Sequence, residues 1–283
     1  AASDVYKRQH VYSSGGHGTL TVEQAVMNSC NPYMIHLALE LGNAKFSEYQ
    51  SLFGFGQTTG IDLPGETTGI VYGDKMTTID AACNSFGQTI NVNMMQMMAS
   101  YCSIINGGML YQPHVVKRIE SANGEVVKEN KATLIRQTVT MSTSKLLRRY
   151  LKNTVESGTA KKVAVTGYSV AGKTGTAQKS PRSENKWLIS FIGHAPADNP
   201  KFAIYVIIDE PDGTTGTSGN SADVLQLSHD ILEKLLPYMS VYKDALDEPV
   251  DTSNSEDELT VGDVPEGSIS NTTETNQTMP SVD

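Results

Sequence analysis

Apolar positions recur at helical spacing through the first fifty residues. Thr21, with Gln24 three positions on, reads as a capping box, and Val22, Ala25 and Val26 supply the short apolar face behind it. Asn31-Pro32 restarts a helix, since proline suits the first turn, and Tyr33, Ile35, Leu37, Ala38 and Leu41 carry it to a C-capping Gly42. A short helix is predicted over residues 44–52. From Gly54 to Gly73 the chain is rich in Gly, Thr and Pro and reads as loop. Asn93 heads a helix through Met94, Met97, Met98, Tyr101 and Ile105, stopped by Gly107-Gly108, and its methionine stripe reads as core packing. Asn123-Gly124, between residues 115–119 and 125–127, signals a hairpin. Residues 142–155 form a basic amphipathic helix with Leu146, Leu147 and Leu151. The period then changes. Residues 168–178, 187–194 and 202–209 read as strands, and residues 222–236 as a closing helix.

Charge divides the chain. Residues 244–283 hold 11 of the 31 acids and none of the 22 Lys and Arg, so the net charge of -9 leaves about +2 for residues 1–243. The nearly neutral body offers no basic patch for nucleic acid. The tail, 241–283, is acidic, rich in Ser, Thr and Asn, and poor in aromatics, and is expected to be disordered; the glycosylation sequons at Asn271 and Asn276 carry little weight there. With 283 residues and 39% hydrophobic positions, the remainder suffices for one large domain or two small ones. Cys30, Cys83 and Cys102 have neither disulfide nor metal-ligand spacing and read as small buried thiols. No run of about 18 apolar residues marks a membrane span, and no signal peptide is recognised. The stretch Asp4 to Gln9 matches a translated sequencing-library transposon end, so residues 1–10 are set aside as an artefact or an exposed arm.

The stretch most suggestive of chemistry is Gly172-Lys173-Thr174-Gly175-Thr176. A strand there carries a cation, two hydroxyls and a glycine that admits close approach of another backbone or a ligand. Regular alternation puts Lys173 and Gly175 on one face and Thr174 and Thr176 on the other. Without context the stretch is as readily a strand running into a turn. Gly167 to Thr174 also satisfies the phosphate-loop pattern, but such a loop follows a strand and opens a helix, whereas this stretch is itself strand-like. Ser29-Cys30-Asn31 lies at a helix junction, where Ser and Asn can point into one cleft or simply cap a helix. Ser183-Glu184-Asn185 and Ser218-Gly219-Asn220 repeat the triplet in polar loops. The histidines fit no Ser-His-Asp order, and Trp187 reads as a core anchor beside the Lys173 strand.

Taken together and in this order, Ser29-Cys30-Asn31 and Lys173-Thr174-Gly175 resemble the penicillin-binding protein transpeptidases and their β-lactamase relatives, which use Ser-x-x-Lys, Ser-x-Asn and Lys-Thr-Gly motifs. Gly16-His17-Gly18, Phe53-Gly54-Phe55-Gly56, Thr59 to Glu66, Ser85-Phe86-Gly87-Gln88, Asn106-Gly107-Gly108 and Phe191 to Pro196 extend the likeness to the class B branch, over about residues 12–240. One departure stands out. No Ser-x-x-Lys precedes Ser29, and Ser142-Thr143-Ser144-Lys145, on the wrong side, reads as a capped helix start.

The resemblance implies an α+β fold, an antiparallel sheet flanked by helices plus a helical subdomain, here a partial transpeptidase domain over 11–240. The family's first strands and nucleophile helix would be absent, leaving three strands with a naked edge and a chain inactive and marginally stable by itself. It implies serine acyl transfer between peptidoglycan stem peptides ending in D-Ala-D-Ala, with β-lactams as mimics and neither metal nor cofactor. Ser29 would relay a proton, Asn31 hold the substrate amide, Lys173 supply positive potential, and Thr174 and Thr176 bind the carboxylate beside Gly175. The backbone N–H of Thr176 would be an oxyanion donor. The parent would be membrane-anchored, its catalytic domain outside the cytoplasmic membrane, in a cell-wall synthesis complex. Competing readings are a β-lactamase or D,D-carboxypeptidase, a β-lactam sensor or pseudo-transpeptidase, and a nucleotide-binding protein.

Overall fold

A computed structural model describes residues 17–211 and 221–244. The arm at 1–10, the triplet at Ser218 and the tail from 245 on lie outside these residues.

Local signals start most of the helices. Helix α1, Val22–Met27, opens on the capping box of Thr21 and Gln24. Helix α2, Asn31–Leu41, follows with proline in its first turn, and Gly42 at φ 80° separates it from α3, Asn43–Leu52. Helix α4, Thr78–Asn84, was not predicted, although Thr77 and Asp80 form a capping box; its seven residues are too few to show a period. Helix α5, Met94–Ile105, is boxed by Asn93 and Gln96. Its buried side bears out the expected stripe only in part, with Met97 and Met98 half-buried. Gln96, Ser100, Tyr101, Ser103 and Ile105 are buried there, whereas Met94 is exposed.

Two small sheets come next. Strand β1, Met109–Tyr111, will pair with β4, Leu134–Gln137. Between them β2, Arg118–Glu120, and β3, Val126–Glu129, close the hairpin about Asn123-Gly124. The loop at residues 57–72 is tied down by carboxylates. Glu66 accepts from the Thr59 N–H (2.8 Å) and hydroxyl (2.6 Å) and from the Gly60 N–H (3.1 Å). Asp62 accepts from the N–H groups of Val115 and Val116, which hold its carboxyl below the ordinary range. Family-like residues Thr59 to Glu66 therefore act as a clip between loop and hairpin.

The main sheet has β5, Ala171–Gln178, β6, Trp187–Ala195, and β7, Phe202–Asp209, in antiparallel order β5-β6-β7. The 16-residue helix α6, Met141–Glu156, precedes it, and α7, Ala222–Tyr238, follows. Directly opposed residues share a face, so Thr174, Phe191 and Val206 lie on one side and Lys173, Ile192 and Tyr205 on the other. The first side is the core: Ile189, Phe191 and Ala195 pack with Val224, Leu225, Leu232 and Leu236 of α7. On the second side His194, fully buried, meets α5: its Nδ1 lies 2.8 Å from the Tyr101 hydroxyl, and its Nε2 3.1 Å from the Ala197 carbonyl. Burial pushes the imidazole down to about 4, so it is neutral, donating from Nε2 and accepting from Tyr101. Val241 packs into the core and the Asp244 N–H bonds the Gly167 carbonyl (2.8 Å).

Candidate active site

The junction between α1 and α2 explains where Ser29 points. Helix α1 ends with the Cys30 N–H on the Ala25 carbonyl (2.9 Å) and the Ser29 N–H on the Val26 carbonyl (3.2 Å). That is the hydrogen-bond pattern of a Schellman turn, whose penultimate position favours glycine because it is left-handed. Here Ser29 occupies it at φ 50°. A serine in that conformation costs about 1 kcal/mol relative to glycine, and it holds a hydroxyl clear of the helix end. Buried Ala25 and Cys30 seal the turn. Neither Ser29 nor Asn31 is a helix cap, because the cap residue of α2 is Cys30 and it makes no side-chain bond.

Strand β5 forms the facing wall. Its glycines answer to packing. A Cβ at Gly172 would fall 2.4 Å from Phe191 Cζ, and one at Gly193, its cross-strand partner, 2.5 Å from Phe191 Cε1, so the Phe191 ring fills the space both leave. A Cβ at Gly175 would fall 2.5 Å from Ser190 Oγ. The phosphate-loop pattern is thereby excluded: Lys173 and Thr174 are mid-strand, and no helix opens there.

Lys173 Nζ donates to Ser29 Oγ and, more loosely, to the Thr174 carbonyl (3.2 Å) and hydroxyl (3.4 Å). Burial lowers its pKa from 10.5 to about 8, with no carboxylate contributing. Ser29, Asn31, Lys173, Thr174, Gly175 and Thr176 all line one cleft of about 730 Å³. The faces expected from alternation hold in the register, yet Lys173 and Thr174 reach the same space because the cleft opens along the edge of the sheet. The arrangement presents an ammonium, hydroxyls of both motifs and an open strand edge to one ligand, which suits an extended peptide ending in a carboxylate. Among the described residues no His, Cys, Asp and Glu group could hold a metal ion.

Comparison with known proteins gives the family and the fold. The profile of the penicillin binding protein transpeptidase domain matches residues 2–233. The chain belongs to this family. It is 39% identical over 239 residues to stage V sporulation protein D of Bacillus subtilis, covering 83% of this chain and 37% of that protein. It is 30% identical to peptidoglycan D,D-transpeptidase MrdA of Acinetobacter baumannii, covering 73% of this chain and 33% of that protein. The chain thus spans about a third of these relatives. Penicillin binding protein 3 of Mycobacterium tuberculosis, solved in complex with ampicillin, superposes with a TM-score of 0.72 at 29% identity, over 81% of this chain and 53% of that one. The α+β fold expected from the sequence is that of these transpeptidase domains.

Within this penicillin-binding domain several side chains stand elsewhere than expected. Trp187 is no core anchor: it lines the cleft, half-buried, with its indole N–H on Asn185 Oδ1 (3.1 Å). Cys30 is buried, but Cys83 and Cys102 are only half-buried. Ser142 to Lys145 opens α6 behind the Thr140 cap, Ser144 is buried against the Gly107 N–H, and none of the four reaches the cleft. Ser183 to Asn185 sits in an exposed turn. Sequence reasoning did not place Phe86, Gln88 or Thr159 in the cleft. Ser85 to Gln88 had stood out only as a family-like stretch, and a Gly-Thr pair just after α6 was the one signal for Thr159.

Proposed function

We propose that the protein carrying this domain cross-links peptidoglycan stem peptides by serine acyl transfer, and that this cleft takes the D-Ala-D-Ala end of the donor peptide. The observation that supports it most is the bond from Lys173 to Ser29, which joins two motifs 144 residues apart. In such a reaction a serine attacks the penultimate carbonyl, terminal D-Ala leaves as an amine, and an amine of a second stem takes the acyl group. On this reading Ser29 hands a proton to the leaving amine. Lys173, about a tenth neutral at pH 7 with its pKa near 8, supports the relay and holds positive potential. Asn31 holds the substrate amide. The hydroxyls of Thr174 and Thr176 take the terminal carboxylate, and Gly175 keeps the strand edge open for the peptide backbone. The Thr176 N–H is one oxyanion donor, and the N–H of the attacking serine is the other.

The attacking serine is not assigned to any described residue. Residues 1–28 contain no Ser-x-x-Lys, and the later matches, at Ser142, Ser183 and Ser240, place neither their serine nor their lysine in the cleft lining. β-Lactams, as mimics of the donor end, are proposed ligands of the same cleft. Among the described residues no helix is long and apolar enough to cross a membrane. We place the domain on the extracytoplasmic side of a membrane-anchored protein within a cell-wall synthesis complex. Fluorescent-penicillin labelling of the full-length protein tests the reading. A labelled band that is lost on Lys173→Ala supports it; equal labelling of wild type and variant, or none in the wild type, sinks it. Rapid release of the label would indicate a β-lactamase or carboxypeptidase.

A further inference from the structure

We propose that Thr159 is a positioning residue that aligns the two motifs and orients the Thr174 hydroxyl toward the donor carboxylate, an inference that rests on the acyl-transfer reading. Two sets of contacts carry it. The first is backbone. The Thr159 N–H bonds the Met27 carbonyl (3.1 Å), the last turn of α1 before Ser29. Gly158 lets the loop close that far: a Cβ there would fall 2.7 Å from the Met27 oxygen and 2.9 Å from Thr154 Cα. Helix α1 is also braced on α6, because Glu23 accepts from Asn153 Nδ2 and from Arg149 Nη2 (3.4 Å). The turn bearing Ser29 is thus braced on the end of α6.

The second contact is the side chain. Thr159 Oγ1 lies 3.2 Å from Thr174 Oγ1, which lies 3.4 Å from Lys173 Nζ, which bonds Ser29 Oγ. Four polar groups therefore form one chain, and Thr159 closes the end remote from Ser29. A hydroxyl has one hydrogen and two lone pairs. A carboxylate offers only acceptors, so Thr174 must spend its hydrogen on the ligand. Lys173 as an ammonium only donates, so Thr174 accepts from that side. Thr159 completes the assignment by donating to the other lone pair of Thr174, which leaves the Thr174 hydrogen for the carboxylate.

The test uses the full-length protein and the second-order rate of penicillin acylation. Thr159→Val keeps the backbone bond and the branched shape and removes only the hydroxyl. A lost net hydrogen bond predicts a slowing of about two- to tenfold, with Thr159→Ser restoring the rate and thermal melting unchanged. Because Thr159 acts through Thr174, adding Thr159→Val to Thr174→Val should slow acylation no further. A penicillin whose carboxylate is esterified should react with wild type and Thr159→Val alike. A wild-type rate in Thr159→Val, additive losses in the double variant, or an equal loss with the ester would each overturn the inference. Lys173→Ala separates the two readings: if it labels normally, the acyl-transfer reading fails, whereas its loss beside a normal Thr159→Val sinks only the role of Thr159.

Discussion

The two outer strands of the main sheet have opposite characters. Strand β5 reads Ala-Gly-Lys-Thr-Gly-Thr-Ala-Gln, and its edge borders the cleft. Strand β7 reads Phe-Ala-Ile-Tyr-Val-Ile-Ile-Asp and is half-buried from Phe202 to Ile208. Phe202, Ile204, Val206 and Ile208 lean on the α7 core, while burial on the other face pushes the Tyr205 phenol up. Apolar residues on both faces are the pattern of a strand with neighbours on both sides, yet among the described residues β7 pairs only with β6. An outer strand is thus not by itself a ligand site. What sets β5 apart is the glycine and hydroxyl composition that leaves its edge open, with Lys173 half-buried beside it.

The largest expected effect separates these edges by function. Removal of an acid-base group slows a reaction by about 10²–10⁴-fold, so Lys173→Ala in the full-length protein should slow penicillin acylation by that order. Val206→Ala, on β7, should cost about 1–2 kcal/mol of stability and leave the rate per folded molecule unchanged. Rate measurements on both variants, scaled to the folded fraction from a denaturation curve, check this. If Val206→Ala slows acylation as much, the distinction between the edges collapses.

A second substitution sharpens the contrast on β5 itself. Gly172→Ala would drive a methyl to 2.4 Å from the Phe191 ring and 2.6 Å from the Ile192 carbonyl. Neither can yield cheaply, and overpacking of this kind costs about 2–3 kcal/mol. Gly175→Ala meets only the Ser190 hydroxyl, which can rotate, and should cost less. Urea denaturation of the 283-residue chain and its variants reads both. Equal losses would mean that Phe191 does not dictate glycine at 172.

Much of this site was legible in the residues. Ser29-Cys30-Asn31 and Lys173 to Thr176 were singled out as types; Ser29, Asn31 and Lys173 to Thr176 line one cleft, and the turn and strand that carry them are local features. What escaped was set by distant contacts. Thr159 touches Met27 and Thr174 only through tertiary packing. Strands β1 and β4 are three and four residues long and pair across an intervening hairpin, too short to show alternation. On α5 the buried hydroxyls escaped for another reason. Ser100 Oγ bonds the Gln96 carbonyl and Ser103 Oγ the Ser100 carbonyl (each 2.7 Å), so the helix satisfies them itself and polarity stops being a guide to exposure.

Electrostatics gives a smaller effect with a defined sign. Lys173 binds its proton less tightly folded (about 8) than unfolded (10.5). Between those values the unfolded chain holds more protons, so stability rises with pH there, and below pH 8 the cost of the buried charge is fully present. At about 1.4 kcal/mol per pH unit the ceiling is roughly 3 kcal/mol, and relaxation makes about 1–2 kcal/mol the expected gain on Lys173→Met at pH 7. That gain should fade toward pH 10.5. Denaturation at pH 7 and pH 10 checks it; a gain equal at both would remove burial as the cause.

The smallest effect tests whether Ser29 is where it is for its hydroxyl. A Schellman turn favours glycine at this position, and Ser29 at φ 50° forgoes that advantage. Ser29→Ala keeps the Cβ in the left-handed turn and removes the partner of Lys173. Ser29→Gly removes both the hydroxyl and the crowding. The glycine variant of the 283-residue chain should therefore be more stable than the alanine variant by about 0.5–1 kcal/mol, while both full-length variants lose acylation rate alike. Thermal melts and labelling rates together decide the matter. If alanine is as stable as glycine, the turn is not strained by its side chain. If glycine keeps the wild-type acylation rate, the hydroxyl is not what the strained turn preserves, and the β5 edge would act without its partner across the cleft.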